Sequence, residues 1–218
     1  MSINLAARIV DLRRSLLAMG AAVEDRVAAV ETSLRTGDLD LAERVKAGDD
    51  EIDGMQVAIE TECMRVLALG HPVASDLRLV VTVLRMSTEL EQMGDLARGI
   101  AKRLLKLAQG EAVRVPESLL DLAAASRTLV AEVMQLLAEP DLDRCLQVRR
   151  EDKRIDQLNR EVLVWSRDEI HRDIEHTQAS LDMLSIAQRF ERIADICTSL
   201  AEELIFLVEG RIVRHKLD

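Results

Sequence analysis

The chain has 218 residues, with 39 acidic side chains against 29 basic ones and a formal net charge of −10. Apolar residues make up 48% but aromatics only 1%, which argues against a β-sandwich or barrel, whose strands favour aromatic and β-branched side chains. The same shortage of stacking rings, combined with an acidic balance that opposes phosphate backbones, argues against nucleic acid as a partner.

Apolar residues recur at intervals of three and four, the period of an amphipathic helix, and the chain is expected to be all-α. Six long helices are predicted, over residues 2–35, 38–69, 74–109, 117–138, 141–171 and 177–209. The third carries the stripe Val83, Met86, Leu90, Met93, Ala97, Ile100, Leu104, and the sixth carries Leu181, Leu184, Ala187, Phe190, Ile193, Cys197, Leu200, Leu204, Leu207. Each of the three prolines falls between elements: Pro72, Pro116 and Pro140. Ser118 and Asp141 suit helix starts, and Gly110 and Gly210 suit helix stops. Short connections make sequence neighbours antiparallel.

No apolar run approaches the ~20 residues of a membrane span, so direct membrane insertion is not expected. The first residues carry charges at Arg8, Asp11, Arg13 and Arg14 and do not form a leader. Cys63, Cys145 and Cys197 are widely spaced, and no CxxC occurs, so they read as reduced core residues of a cytoplasmic protein.

The chain contains the same unit twice. Residues 38–53, DLDLAERVKAGDDEID, align without gaps on residues 141–156, DLDRCLQVRREDKRID, and seven of sixteen positions agree. Farther along, at a shift of 100, His71 meets His171, Leu84 meets Leu184, Glu91 meets Glu191 and Asp95 meets Asp195. Gly110-Glu111-Ala112-Val113-Arg114 then meets Gly210-Arg211-Ile212-Val213-Arg214. Matches at Asp, Glu, Gly and His exceed what shared amphipathic composition supplies. Two tandem, sequence-related three-helix bundles are therefore expected, over residues 1–114 and 115–218.

Four acidic pairs at i,i+4 follow the repeat: Asp49/Asp53, Glu91/Asp95, Asp152/Asp156 and Glu191/Asp195. About seven such pairs arise by chance from the chain's 39 acids, so the repeat, rather than the spacing, carries the signal. Carboxylates one turn apart repel, and a hard cation reverses that sign because their oxygens are its preferred ligands. The alternative is a solvated helix face offset by Arg78, Arg85, Arg98, Arg149, Arg154 and Arg192, and spacing alone weighs the two equally. His71 and His171 lie at helix ends, where a dipole role is commoner than ligation.

A ferritin-like dimetal oxidase needs Glu-x-x-His on two helices, but the residues three past Glu91 and Glu191 are Gly94 and Ala194. No P-loop, G-x-G-x-x-G fingerprint or G-x-S-x-G elbow occurs. The chain does not read as an enzyme.

Residues 71–103, HPVASDLRLVVTVLRMSTELEQMGDLARGIAKR, resemble the signature of the PhoU family of phosphate-signalling proteins. Residues 180–215, SLDMLSIAQRFERIADICTSLAEELIFLVEGRIVRH, look like that family's second copy. The resemblance implies two tandem three-helix bundles and multinuclear metal clusters at Glu/Asp-x-x-x-Asp motifs. Here these are Asp49, Asp53, Glu91 and Asp95, then Asp152, Asp156, Glu191 and Asp195. Iron and zinc are the metals associated with the family, and the carboxylates alone also accept Mn or Mg. The resemblance further implies a cytoplasmic negative regulator of phosphate uptake that contacts a sensor histidine kinase and the phosphate ABC transporter ATPase subunit. A homodimer is expected. The rival reading is a carboxylate-bundle metal-binding or storage protein, or a metalloenzyme. The chain departs from the family pattern where Ala194 replaces the motif glycine and where Gly99 and Ser199 replace its asparagine.

Overall fold

The structure is a computed structural model that describes residues 4–110 and 113–211, with Asp49 described by its backbone alone. The closing Val213, Arg214 and His215 of the repeat lie outside the described residues. Every regular element among the described residues is helical.

α1 (Leu5–Thr36) starts at Asn4, whose side chain accepts from the Ala7 N–H, and stops at Gly37, which takes the left-handed φ of 74°. Its buried face repeats at three and four through Leu12, Leu16, Met19, Val23, Val27, Val30 and Leu34. α2 (Leu39–Ala47) is capped by Asp38, which accepts from the N–H groups of Asp40 and Leu41. α3 (Asp49–Gly70) follows after Gly48. The rod expected over 38–69 is therefore interrupted. At Gly48, with φ −88° and ψ 21°, the backbone leaves the α-helix, and the buried Arg26 guanidinium donates to the Gly48 carbonyl. A lone glycine in a periodic run is tolerated in a helix, so periodicity alone does not place the break here.

α4 (Ala74–Leu107) spans about 50 Å at ~1.5 Å per residue and buries Val83, Met86, Leu90, Met93, Ala97, Ile100 and Leu104, the predicted stripe. It ends at Ala108 rather than at Gly110, which lies beyond the cap without a left-handed φ. α5 (Glu117–Ala138) begins behind Pro116, which puts Ser118 inside the helix instead of at its cap. α6 (Leu142–Arg172) is capped by Asp141, which accepts from the Arg144 N–H. A 3₁₀ turn (Ile174–His176) leads into α7 (Thr177–Glu209), closed by left-handed Gly210 at φ 70°.

α1, α2 with α3, and α4 form one bundle; α5, α6 and α7 form the second. Neighbours in sequence run antiparallel. On α3 and α4, Ile52 faces Gly94 while Cys63, farther along α3, donates to the carbonyl of Val80, nearer the start of α4. The equivalent helices of the two copies then pair with each other, α1 with α5 and α4 with α7, as a two-fold relation requires. Both pairs are antiparallel. Arg85 meets Glu203 at 3.4 Å, while farther down α4 Lys106 and Arg103 meet Asp182, nearer the start of α7. α2, α3 and α6 pack outside this central layer. One hydrophobic core runs through both copies, with Phe190 and Met93 fully buried in it.

Candidate metal centre

In the first copy, Asp49 opens α3 and Asp53 follows one turn later, while Glu91 and Asp95 occupy successive turns of α4. Ile52, beside Asp53, packs onto Gly94, beside Asp95: a Cβ on Gly94 would lie 2.9 Å from Ile52 Cδ1. The two acid-bearing stretches thus sit beside a close approach of α3 to α4. Asp53 and Asp95 are exposed, and Asp95 accepts from Arg98 at 2.8 Å. Glu91 is half-buried and engaged with neighbouring groups. The side chain of Asp49 lies outside the described residues.

In the second copy the four acids share one electrostatic neighbourhood. Asp152 and Asp156 on α6 and Glu191 and Asp195 on α7 are all half-buried. Burial, followed by the charges of Asp156 and Asp195, holds the Asp152 carboxyl above its usual range. Glu191 is raised first by burial and then by Asp195, Asp156 and Asp152, against a hydrogen bond from Asn159 that favours the carboxylate. Ala194 takes the place of Gly94 with its methyl buried. Arg160 donates to Asp156 at 3.4 Å and Arg192 to Asp195 at 3.3 Å, so each terminal acid carries an exposed arginine.

These acids repel and are oxygen donors throughout, the combination a hard dication relieves. Asn159 adds a buried Oδ1 with no hydrogen-bond donor beside Glu191, a further oxygen ligand of the right kind. On these grounds the donor set fits a metal. Among the described residues, however, no three His, Cys, Asp or Glu side chains are gathered in a shape that holds an ion as they stand. The two observations measure different things: repulsion between ionised acids favours splayed rotamers even where the groups share one field.

Sequence reasoning named the acids but not Asn159, whose signal is its place one turn past Ile155 and three residues past Asp156, on the same side of α6. Of the arginines assigned to a solvated face, Arg98, Arg192 and Arg154 do pair along their own helices, Arg154 with Glu151 at 3.7 Å. Arg85 and Arg149 instead pair across helices, with Glu203 and with Glu202 at 3.3 Å. His71 is the exposed left-handed cap of α3, and His171 is exposed in the last turn of α6. The three cysteines are free and buried.

Comparison with known proteins agrees with this architecture over both copies. The phosphate-specific transport system accessory protein PhoU of Escherichia coli strain K12 is 31% identical over 209 residues, covering 96% of this chain and 87% of that protein. A homologue so named from Pseudomonas aeruginosa is 35% identical over 210 residues, again 96% of this chain and 87% of that one. The crystal structure of PhoU from Pseudomonas aeruginosa superposes with a TM-score of 0.91 at 32% identity, over 95% of this chain and all of that one. The PhoU domain matches residues 16–104 and again 119–204, once in each bundle, and the chain therefore belongs to the PhoU family.

Proposed function

We propose that this chain is a cytoplasmic accessory regulator of phosphate transport that damps phosphate-starvation signalling. It acts as a homodimer that contacts a sensor histidine kinase and the ATPase subunit of a phosphate ABC transporter. The observation that carries the reading is the doubled domain match, supported by relatives named as phosphate-specific transport system accessory proteins along nearly the whole chain. A rigid pair of bundles with long exposed helix faces suits the bridging of two partners, and no helix among the described residues is long and apolar enough to cross a membrane itself.

Within that role the acidic pairs hold metal. Asp49, Asp53, Glu91 and Asp95 serve one site, and Asp152, Asp156, Glu191 and Asp195 the other, with iron, zinc, manganese or magnesium as the ion. A bound cation supplies positive charge that offsets the mutual repulsion of these acids. The residues themselves tie α3 to α4 and α6 to α7, because each set draws its ligands from two helices.

The reading is tested by cross-linking and co-purification from phosphate-replete cells. Recovery of both the kinase and the transporter ATPase supports it, and recovery of neither overturns it. Elemental analysis after purification without chelators tests the metal separately: two occupied sites support it, and a metal-free chain removes it while leaving the adaptor reading intact.

A further inference from the structure

Arg189 lies in the seam between α4 and α7, its stem laid across the bare backbone of Gly99. A Cβ at Gly99 would come within 3.2 Å of Arg189 Cδ, so the glycine makes the space that the arginine fills. The guanidinium donates to the Ser185 carbonyl at 2.8 Å and to the Ser185 hydroxyl, both one turn back on its own helix. Among the described residues no carboxylate pairs with it. The acid of α7 in this stretch, Asp182, is already held by Arg103 of α4 at Oδ1, and by Lys106 of α4 at 3.1 Å and Gln178 at 2.9 Å at Oδ2.

Arg103 and Lys106 thus take up the acid, while Arg189, opposite Gly99 one turn back along α4, faces none, within a chain whose net charge is −10. The contacts of Arg189 are with neutral oxygens of its own helix, so they do not tie α4 to α7 and they give its charge no counter-ion. Burial and then the charge of Arg103 pull the Arg189 guanidinium below its ordinary range, the direction expected of a charge without a counter-ion. Ser185, between the two arginines along the seam, adds a hydroxyl. A guanidinium presents five N–H donors in a planar fork, of which the contacts with Ser185 use few. The ligand that completes such a set is a tetrahedral oxyanion.

We propose that the α4–α7 seam carries an oxyanion site formed by Arg189, Arg103 and Ser185, taking a phosphoryl group from free phosphate or from a phosphomonoester. Its acceptor oxygens bridge the two arginines and remove the like-charge repulsion between them. The site uses none of the proposed metal ligands and does not depend on the adaptor reading.

The test is calorimetric titration of the full-length protein with orthophosphate, and separately with phosphoserine, in phosphate-free buffer at fixed ionic strength. Saturable binding of orthophosphate is expected, weakened tenfold or more by Arg189→Gln and by Arg103→Gln, and less by Arg189→Lys, which keeps the charge but not the fork. Arg14→Ala, at an exposed arginine paired only along its own helix with Asp11, leaves binding unchanged. Phosphoserine binding as tightly as orthophosphate assigns the site to a phosphomonoester, whereas orthophosphate alone assigns it to the free ion. Absence of saturable binding by both ligands in the wild-type chain overturns the proposal, as does undiminished affinity in folded Arg189→Gln and Arg103→Gln.

Discussion

Gly94 and Ile52 meet across α3 and α4 so closely that the missing side chain of one is filled by the other: a Cβ on Gly94 would stand 2.9 Å from Ile52 Cδ1. Ile52 is 1% exposed and has nowhere to retreat. Gly94→Ala gains about 1 kcal/mol of helix propensity and incurs about 1–3 kcal/mol of overpacking. A net loss of stability is expected, seen as a lower urea midpoint. Ala194→Gly, at the repeat-equivalent position, should also destabilise, by about 1 kcal/mol, because it loses propensity and leaves a gap.

Glu31 on α1 is a buried carboxylate that holds Arg127 of α5 at 2.8 Å and Arg35 at 3.0 Å. It fastens the first helix of one copy to the first helix of the other. Arg127→Ala leaves Glu31 with Arg35 and the Thr32 hydroxyl, and is expected to cost about 1–3 kcal/mol in denaturant unfolding. Removal of the exposed Arg14, by contrast, should fall within about 0.5 kcal/mol of wild type.

Acid stability should depend on Asp182. Burial alone raises its pKa, but hydrogen bonds from Gln178, Lys106 and Arg103 outweigh burial and hold the carboxyl below its ordinary 3.8. A depressed carboxyl contributes stability that is complete above the unfolded value and is lost as pH falls through the lower folded value. Glu132, held down chiefly by its hydrogen bond from Arg144, acts in the same direction. Thermal unfolding from pH 7 to pH 2 should show a steep acid limb, and Asp182→Asn should flatten it while lowering stability at pH 7.

All three thiols should resist reagents. Burial first, then the charges of nearby acids, pushes Cys63 up to about 11, and burial raises Cys145 to about 11. Cys197 is higher still by burial. Thiolate is the reactive form, so alkylation of the native chain by iodoacetamide at pH 8 should be slow at all three positions. Labelling should become complete in denaturant, and mass spectrometry of the two samples checks this. Fast native labelling of any one of them would contradict its burial.

Asp152→Asn separates the two readings of the acidic face. Removing one of four mutually repelling acids should stabilise the metal-free protein by a few tenths of a kcal/mol at neutral pH. If the second set binds metal, the same substitution lowers the metal recovered per chain in elemental analysis. If the acids form a solvated face, only the stability change appears.

The rods, their caps at Asp141 and Gly210, and the duplication were legible because helical periodicity and repeat-aligned acids are local signals, carried within a few turns of chain. The break at Gly48 was not legible, because a lone glycine is tolerated within a helix and Arg26, which donates to its carbonyl, lies on a different helix 22 residues away. The placement of Asp152, Asp156, Glu191 and Asp195 in one electrostatic neighbourhood followed from pairing α6 with α7, which short connections made readable. Arg189 and Gly99 gave no such warning: they lie in helices of different copies, and nothing in either segment encodes the register that joins them.

The ion pairs between α4 and α7 bear on what either copy could do alone. Under the repeat alignment Arg103 corresponds to Glu203, a reversal of sign. Were two first copies to associate through α4 in the same register, Arg85 would confront Arg103; were two second copies to associate through α7, Glu203 would confront Asp182. Only the mixed pairing sets cation against anion. The divergence of those few side chains has made each half unfit to be its own twin, so the tandem arrangement is a commitment that severing the linker would not undo.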